Sequence, residues 1–144
     1  MSIFLTRRLR ERKLRTYPLN YGRDVVANWG RRIERDESAV LDVGCGVGSD
    51  LLGVRAAIAP RTTRLYGIDV YGPSIEKARA AGIDVRVIDV ERDRFPFEDE
   101  SLDYVIANQI LEHTKEIFWI VAEAERCTTA RRTALCGGPE PRVV

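Results

Sequence analysis

Short apolar runs alternate with amphipathic segments along the middle of the chain. The apolar runs are rich in β-branched residues and end at Gly, Asp or other turn-forming residues, which predicts strands over residues 40–43, 64–70, 84–90 and 102–107. Amphipathic spacing predicts helices over residues 24–35, 73–81 and 114–126. Pro73 suits the first turn of the second of these helices, and Gly82 suits its end. Strands and helices in alternation predict an α/β fold.

The N-terminal part of the chain departs from this alternation. Residues 17–22 indicate a turn before the first helix. The apolar face predicted for that helix consists of Val25, Val26, Trp29 and Ile33. We therefore divide the chain into a basic N-terminal helical segment, residues 1–37, and one α/β domain, residues 38–144.

Charge is distributed unevenly, although the net charge of the 144 residues is only +1. Residues 1–35 contain ten Lys and Arg against three Asp and Glu, so the rest of the chain is acidic. We favour a solvated helix for this basic head. Weak contact with an anionic membrane surface and an organellar transit segment are the alternatives, and we expect no nucleic acid partner. No run reaches the roughly 18 apolar residues of a membrane span.

The cysteines bear on the compartment. Cys45, Cys127 and Cys136 lack the spacing of a metal site, and the apolar run Ile3–Leu5 is too short for a secretory signal. An odd number of cysteines without such a signal indicates reduced thiols, so we expect a cytoplasmic protein. No motif supports a nucleophilic role for Cys45.

Three glycines follow the first strand at alternate positions. Gly44, Gly46 and Gly48 allow a tight turn and a close approach of a ligand to the backbone, and a strand, a Gly-rich turn and a helix N-terminus form a concave site lined with N–H groups. A dinucleotide fingerprint would need a further Gly at the position of Ser49. The carboxylate of Asp42 would repel a pyrophosphate but would accept a hydrogen bond from an ammonium group. A nucleotide-dependent oxidoreductase is therefore disfavoured.

Polar residues follow the later strands as well. Asp69 and Asp89 end the second and third strands, and Asn108 and Gln109 follow the fourth. Asp69 comes 23 positions after Gly46, close to the spacing at which an acid reaches ribose hydroxyls in nucleotide-binding α/β units. As a strand-end acid, Asp69 is expected to contribute little to the stability of the fold. Ligands of open α/β sheets bind outside the carboxyl ends of the strands, where these residues lie.

These motifs together resemble those of the class I S-adenosylmethionine-dependent methyltransferases, and most closely the type-11 group, over residues 38–126. The resemblance implies a Rossmann-like, doubly wound parallel sheet in the order 3-2-1-4, with a possible fifth strand at residues 133–136. It implies S-adenosyl-L-methionine as the cofactor and a small molecule or glycan precursor as the methyl acceptor. In the family the acid at Asp89 faces the adenine amino group, with Val90 beside the ring. The implied cofactor-binding residues are Asp42, Gly44, Cys45, Gly46, Gly48, Asp69, Val70, Asp89, Val90, Asn108 and Gln109. Helices before the domain close over the cofactor in this family, so Tyr17, Tyr21 or Arg23 could touch it.

The single histidine, His113, follows Glu112 at the predicted start of the last helix. An imidazole titrates near neutrality, so His113 is a candidate general base. The alternative is that Glu112 and His113 only shape the floor of the pocket. Some relatives bind a divalent metal through Glu-x-x-Glu-His at this point. Here Gln109 replaces the first Glu, so an anionic ligand is missing and we expect no metal.

The resemblance ends after Arg126, where the sequence becomes rich in Arg, Thr, Gly and Pro. We expect the C-terminal strands of the family to be missing, as in a truncated or frameshifted reading of a longer gene. The sheet would then end in an unpaired edge, through which the chain would self-associate. The alternative function is an inactive remnant that binds S-adenosylmethionine or a protein partner.

Overall fold

A computed structural model describes residues 22–129, 134–137 and 142–143 of the chain. The basic head up to Tyr21, with Tyr17 and most of the predicted turn, lies outside these described residues, and so does Thr133. Helices and strands alternate along the described ranges, as the sequence predicts. The helices are α1 (Arg23–Gly30), α2 (Ser49–Ile58), α3 (Gly72–Ala80) and α4 (Ile117–Cys127). The strands are β1 (Ser38–Val43), β2 (Thr63–Asp69), β3 (Asp84–Val87), β4 (Tyr104–Asn108), β5 (Ala134–Gly137) and β6 (Arg142–Val143).

The strands form one sheet in the order β3-β2-β1-β4-β5-β6. The first five strands run parallel, and β1 lies between β2 and β4 with all six of its residues buried. The predicted parallel sheet in the order 3-2-1-4 is therefore confirmed, and the possible fifth strand is present as β5, beside β4. The reversal of strand order beside β1 opens a crevice at the carboxyl ends of β1 and β4.

The outer side of β5 is not the unpaired edge that the sequence led us to expect. Strand β6 pairs antiparallel with it, with Leu135 opposite Val143 and Cys136 opposite Arg142. That expectation is wrong because Arg142 and Val143 form a short antiparallel strand beside β5. Self-association of the chain stays a prediction, and β3 and β6 are the outer strands of the sheet.

Helices cover both faces of the sheet. Alternate residues of β1 point to opposite faces, so Val40 belongs to an apolar cluster with residues of α1, α2 and α3, whereas Leu41 belongs to a cluster with residues of α4. Both side chains are fully buried, and each such burial stabilises the fold by roughly 1.5–3 kcal/mol. This two-sided packing is the doubly wound arrangement that the family resemblance implies. Among the described residues, no helix is long and apolar enough to cross a membrane.

Helix α1 is shorter than predicted. It ends at Gly30 rather than at residue 35, and the N–H of Ile33 closes a turn onto the carbonyl of Gly30 at 2.9 Å. Gly30 packs against Val54 of α2, where an added Cβ would lie 3.1 Å from a Val54 methyl group. Val26, Trp29 and Ile33 are buried as predicted, but Val25 is exposed because it points away from this contact.

The third strand also ends earlier than predicted, at Val87 rather than at residue 90. Beyond it, the backbone N–H of Asp89 donates to the Asp93 carboxylate at 2.8 Å, and the N–H of Asp93 donates back to the Asp89 carbonyl. These two bonds form a turn, which replaces the ladder that a longer strand would need. Asp89 therefore lies in a loop after β3 and not at the end of the strand.

Two boundaries near the candidate site differ as well. Strand β4 begins at Tyr104 and includes Asn108, whereas residue 102 makes only an isolated bridge to Thr128. The last helix begins at Ile117 rather than at residue 114, because Leu111–His113 form a separate 3₁₀ turn and Thr114 after it is extended. His113 consequently precedes the helix instead of opening it.

Arg126 joins α4 to the loop before β4. Its guanidinium donates twice to the Glu123 carboxylate, at 2.9 and 2.7 Å, and also to Asp99 and to the carbonyls of Phe95 and Phe97. The backbone N–H of Phe95 completes the network by donating to Glu123 at 2.8 Å. Glu123 is buried, and the bonds from Arg126 hold the pKa of this carboxyl below its usual value.

Replacement of Arg126 by Ala should lower the free energy of unfolding by roughly 3 kcal/mol, because it leaves a buried carboxylate without its cation. Chemical denaturation at neutral pH measures this loss. The lowered pKa of Glu123 stabilises the native chain above the usual Glu pKa of about 4.3, so the loss should shrink as the pH falls through and below that value. Arg92→Ala, at an exposed arginine, is the matched control and should change stability by less than about 0.5 kcal/mol. Equal losses in the two variants would contradict this account.

Candidate functional site

A cleft of about 170 Å³ opens at the carboxyl ends of β1 and β4. It is lined by Arg23, Asp42, Gly44, Cys45, Gly46, Val47, Ser49, Asp50, Asn108 and Gln109. Six of these were predicted as cofactor-binding residues from the sequence, and Arg23 was a candidate from the N-terminal segment. The elements that form the cleft are thus the β1–α2 turn, the first turns of α1 and α2, and the end of β4.

The turn after β1 owes its shape to three glycines in the left-handed region. Gly44, Gly46 and Gly48 have φ values of 73°, 52° and 83°, which residues with a Cβ rarely adopt. A Cβ on Gly44 would lie 2.8 Å from Ile110, and one on Gly48 would lie 2.1 Å from Ile83. A Cβ on Gly46 would meet nothing within 4 Å. Gly44 and Gly48 therefore allow close packing, whereas Gly46 leaves open space beside the cleft.

Hydrogen bonds to β2 hold this turn in place. The N–H groups of Gly44 and Cys45 donate to the carbonyl of Ile68 at 2.9 and 3.2 Å. One carboxylate oxygen of Asp69 accepts the N–H of Gly46 at 2.8 Å, and the other accepts the N–H of Tyr71 at 2.8 Å. The expectation that Asp69 contributes little to the fold is wrong, because both of its oxygens bind backbone donors. Its contact with a ribose stays a prediction.

Asp42 is a buried acid on the central strand, with 2% of its surface exposed. Burial raises the pKa of Asp42 well above its usual value, and the negative charges of Asp50 and Asp69 raise it further. Three carboxylates therefore surround the glycine turn. Such a site is electrostatically suited to a cation and unsuited to a phosphate.

Asp50 is a cleft residue that the sequence analysis missed. It lies in the first turn of α2, and its Oδ2 accepts a hydrogen bond from Asn108 Nδ2 at 2.8 Å. Burial raises the pKa of Asp50, and both the bond from Asn108 and the positive charge of Arg23 oppose that rise. The signal in the sequence is an acid in the first helical turn after a glycine loop. The contact with Asn108, 58 positions away, depends on tertiary structure.

Gln109 adopts an unusual conformation at the end of β4, with φ at 58°. Only a few per cent of residues other than Gly adopt positive φ, and such residues concentrate at binding sites. Here the conformation turns the chain out of the sheet directly beside Asn108 and leaves Gln109 on the cleft wall.

The packing and the pKa of the Cys45 thiol do not suit a catalytic role. A Cβ on Gly67 of β2 would lie 2.5 Å from Cys45 Sγ, so the thiol packs against that strand. Burial, followed by the charges of Asp42 and Asp69, raises the pKa of Cys45 to about 12. The thiol stays protonated near neutral pH, and the contribution of Cys45 to the cleft is its backbone.

Six predicted residues lie outside the cleft lining: Gly48, Asp69, Val70, Asp89, Val90 and His113. Val70 is exposed, Val90 is buried in the apolar cluster beneath α4, and Asp89 accepts the N–H of Glu91 at 3.0 Å within its loop. His113 is exposed in the 3₁₀ turn. The adenine contacts assigned to Asp89 and Val90, the cofactor contact of Val70 and the general-base role of His113 stay predictions. Within residues 22–129 and the two described C-terminal pieces, no group of three His, Cys, Asp or Glu is arranged to hold a metal ion.

A second, shallower groove is lined by residues 94–99 and Arg126. Arg94 and Arg126 both pair with Asp99, and Arg126 also pairs with Glu123, so the charges along this groove are largely neutralised. It lacks the open glycine backbone of the first cleft, which is therefore the stronger candidate for a cofactor site.

Comparison with known proteins bears on what the cleft is for. A curated relative, an uncharacterized 37.1 kDa protein in transposon TN4556 of Streptomyces fradiae, is 30% identical over 109 residues, which cover 74% of this chain and 31% of the relative. A solved S-adenosylmethionine-dependent methyltransferase from Mesorhizobium loti has a TM-score of 0.63 at 18% identity, over 80% of this chain and 55% of that one. The arsenic(III) S-adenosylmethionine methyltransferase CrArsM of Chlamydomonas reinhardtii has a TM-score of 0.62 at 21% identity, over 70% of this chain and 38% of that one.

The solved structures and the family model support conclusions of different kinds. At such identities the two solved structures establish the fold alone, and the chain spans about a third of the curated relative and about half or less of the solved chains. A family model described as a methyltransferase domain, by contrast, matches residues 41–131, well over half of the chain. The matched range contains the glycine turn and the ends of β1, β2 and β4. The chain therefore belongs to the methyltransferase-domain family.

Proposed function

We propose that the cleft binds S-adenosyl-L-methionine and that the domain catalyses methyl transfer to a small molecule or glycan precursor. The observation that carries this proposal is the open backbone at Gly46, beside the buried carboxylate of Asp42. A ligand can lie directly against the chain there, next to a group that accepts hydrogen bonds from cations. Membership of the methyltransferase-domain family supports the same cofactor.

The charged groups of the cleft fit this cofactor better than a dinucleotide. S-adenosylmethionine carries an ammonium and a sulfonium, whereas the pyrophosphate of NAD carries negative charge. Asp42 and Asp50 line the cleft, and Asp69 binds the turn beside it. Carboxylates close to a bound phosphate repel it, and the same carboxylates attract a cation.

Each part of the site has a proposed role. When bound, S-adenosylmethionine supplies a methyl group on a strongly electrophilic sulfonium, so the protein mainly has to align the acceptor and exclude water. We assign the amino acid part of the cofactor to Asp42 and the glycine turn, with Asn108 and Gln109 forming the opposite wall. Asp69 is assigned to the ribose, and Val70, Asp89 and Val90 to the adenine.

Location and further contacts rest on the sequence alone. The cysteine pattern supports a cytoplasmic protein. The basic residues of the N-terminal head support weak contact with an anionic membrane surface.

The alternative proposal is a domain that binds S-adenosylmethionine or a protein partner without transferring a methyl group. The exposure of His113, outside the cleft lining, favours this alternative because no other imidazole exists in the chain. Binding of the cofactor without formation of S-adenosylhomocysteine, over a panel of hydroxyl- and amine-bearing acceptors, would support it.

Calorimetric titration of the full chain with S-adenosylmethionine, S-adenosylhomocysteine and NAD tests the proposed cofactor. We expect saturable binding of the first two and none of NAD, since the cleft carboxylates repel its pyrophosphate. Binding of NAD alone would overturn the proposal.

A pair of glycine variants tests whether the cleft is the binding site. Gly46→Ala places a methyl group in the open space, so we expect the affinity for S-adenosylhomocysteine to fall at least tenfold, with a stability loss of about 1 kcal/mol from the left-handed backbone. Gly48→Ala is the comparison variant for packing within the turn. Its methyl group would clash with Ile83, so we expect the free energy of unfolding to fall by about 3 kcal/mol. Unchanged affinity of the folded Gly46→Ala chain would place the ligand elsewhere.

Replacement of His113 by Gln tests the proposed general base. We expect the rate of S-adenosylhomocysteine formation to fall by roughly 10²- to 10⁴-fold, the usual contribution of such a group, while binding of S-adenosylhomocysteine is unchanged. An unchanged rate would leave the pair Glu112 and His113 with a purely structural role.

A further inference from the structure

One buried polar atom of a residue that lines the cleft is unexplained by the contacts within the described part of the chain. Asp50 Oδ1 is buried, yet it has no hydrogen-bond partner in the part of the chain that the structure describes. The other oxygen, Oδ2, accepts the bond from Asn108 at 2.8 Å. A buried carboxylate oxygen without a donor is costly, so in native structures such an oxygen usually has a ligand, a water or a proton.

The surroundings of Asp50 indicate which kind of donor is suitable. Asp42 lines the same cleft, and the negative charges of Asp50 and Asp69 add to the rise in its pKa that burial causes. Arg23, at the start of α1, is the cation that acts on Asp50. A neutral donor would satisfy the oxygen but would leave the repulsion between Asp42 and Asp50, whereas a cationic donor relieves both.

We propose that Asp50 is a further ligand-binding residue of the cleft, whose Oδ1 accepts a hydrogen bond from the α-ammonium group of the bound cofactor while its Oδ2 holds Asn108. This inference rests on the proposed function, because it assigns the ammonium of S-adenosylmethionine to a particular atom. The carboxylates of Asp42 and Asp50 then form a binding site for one positively charged group. Asp50 also connects the first turn of α2 to the end of β4 through its hydrogen bond with Asn108.

The contact with Asn108 makes Asp50→Asn a directional test. With Asn108 Nδ2 kept as the donor, the new amide presents its carbonyl oxygen to Asn108 and its NH₂ group to the position of Oδ1. A donor then faces the ammonium where an acceptor stood. Asn also closely mimics a protonated Asp. The variant should therefore bind ligands like the unaltered chain if Asp50 is protonated, and more weakly if a charged Asp50 binds the cation.

The experiment compares three ligands by calorimetry. S-adenosylhomocysteine carries both charged groups of the amino acid, decarboxylated S-adenosylhomocysteine keeps only the ammonium, and 5′-methylthioadenosine lacks both. The sulfur is a neutral thioether in all three, so a sulfonium charge does not enter the comparison. In Asp50→Asn we expect the first two to bind roughly ten- to a hundredfold more weakly, the range for a hydrogen bond to a charged group, and 5′-methylthioadenosine to change less than twofold. Asp84→Asn, which removes the same charge on the exposed strand β3, should leave all three affinities unchanged.

The possible failures are distinguishable. If the unaltered chain binds none of the three ligands, the proposed function is wrong and the role of Asp50 with it. If the unaltered chain binds them but Asp50→Asn binds them equally well, or loses affinity for all three equally, the role of Asp50 is wrong and the proposed function stands. Asp50→Ala, which removes both oxygens, is the second variant. It should weaken the binding of the same two ligands and spare 5′-methylthioadenosine, and a cooperative thermal transition must show that it is folded.

Discussion

The site depends on the attachment of the glycine turn to the end of β2. The carbonyl of Ile68 accepts two backbone N–H groups from the turn, and the carboxylate of Asp69 accepts a third, from Gly46. These bonds fix the backbone in the left-handed conformations that only glycine adopts without strain. The turn is consequently held against the end of β2, and the space beside Gly46 stays open. Without this attachment there would be no wall against which a cofactor could bind.

The same arrangement concentrates negative charge. Asp42 is buried on the central strand, Asp69 is held by the turn, and Asp50 enters from the first turn of α2. Burial raises the pKa of both Asp42 and Asp50, and at Asp42 the negative charges of Asp50 and Asp69 add to the rise. A cationic ligand would stabilise the charged forms of both carboxylates, so the site should favour positive charge. The fold alone does not give that selectivity, since the same strand order also accommodates dinucleotides.

Much of the fold could be predicted because its signals are local. The β-branched runs predicted the strands, and the glycine spacing at Gly44, Gly46 and Gly48 predicted the location of the cleft. The strand order was implied by the resemblance to the family. Element ends were less accurate where a side chain takes over from the backbone ladder, as the Asp93 carboxylate does after β3. The role of Asp69 in the fold and the presence of Asp50 in the site were missed for one reason. Both depend on bonds between residues far apart in sequence, Asp69 with Gly46 and Asp50 with Asn108.

The central claim is that a ligand of the methyltransferase family binds between the glycine turn and the end of β4. Amide chemical shifts of the ¹⁵N-labelled chain, recorded during titration with S-adenosylhomocysteine, test it most directly. The account predicts the largest changes at residues 44–50 and at Asn108 and Gln109, with little change in the groove of residues 94–99 and Arg126. Changes confined to that groove, or a saturable titration that leaves the amide of Gly46 unmoved, would contradict it.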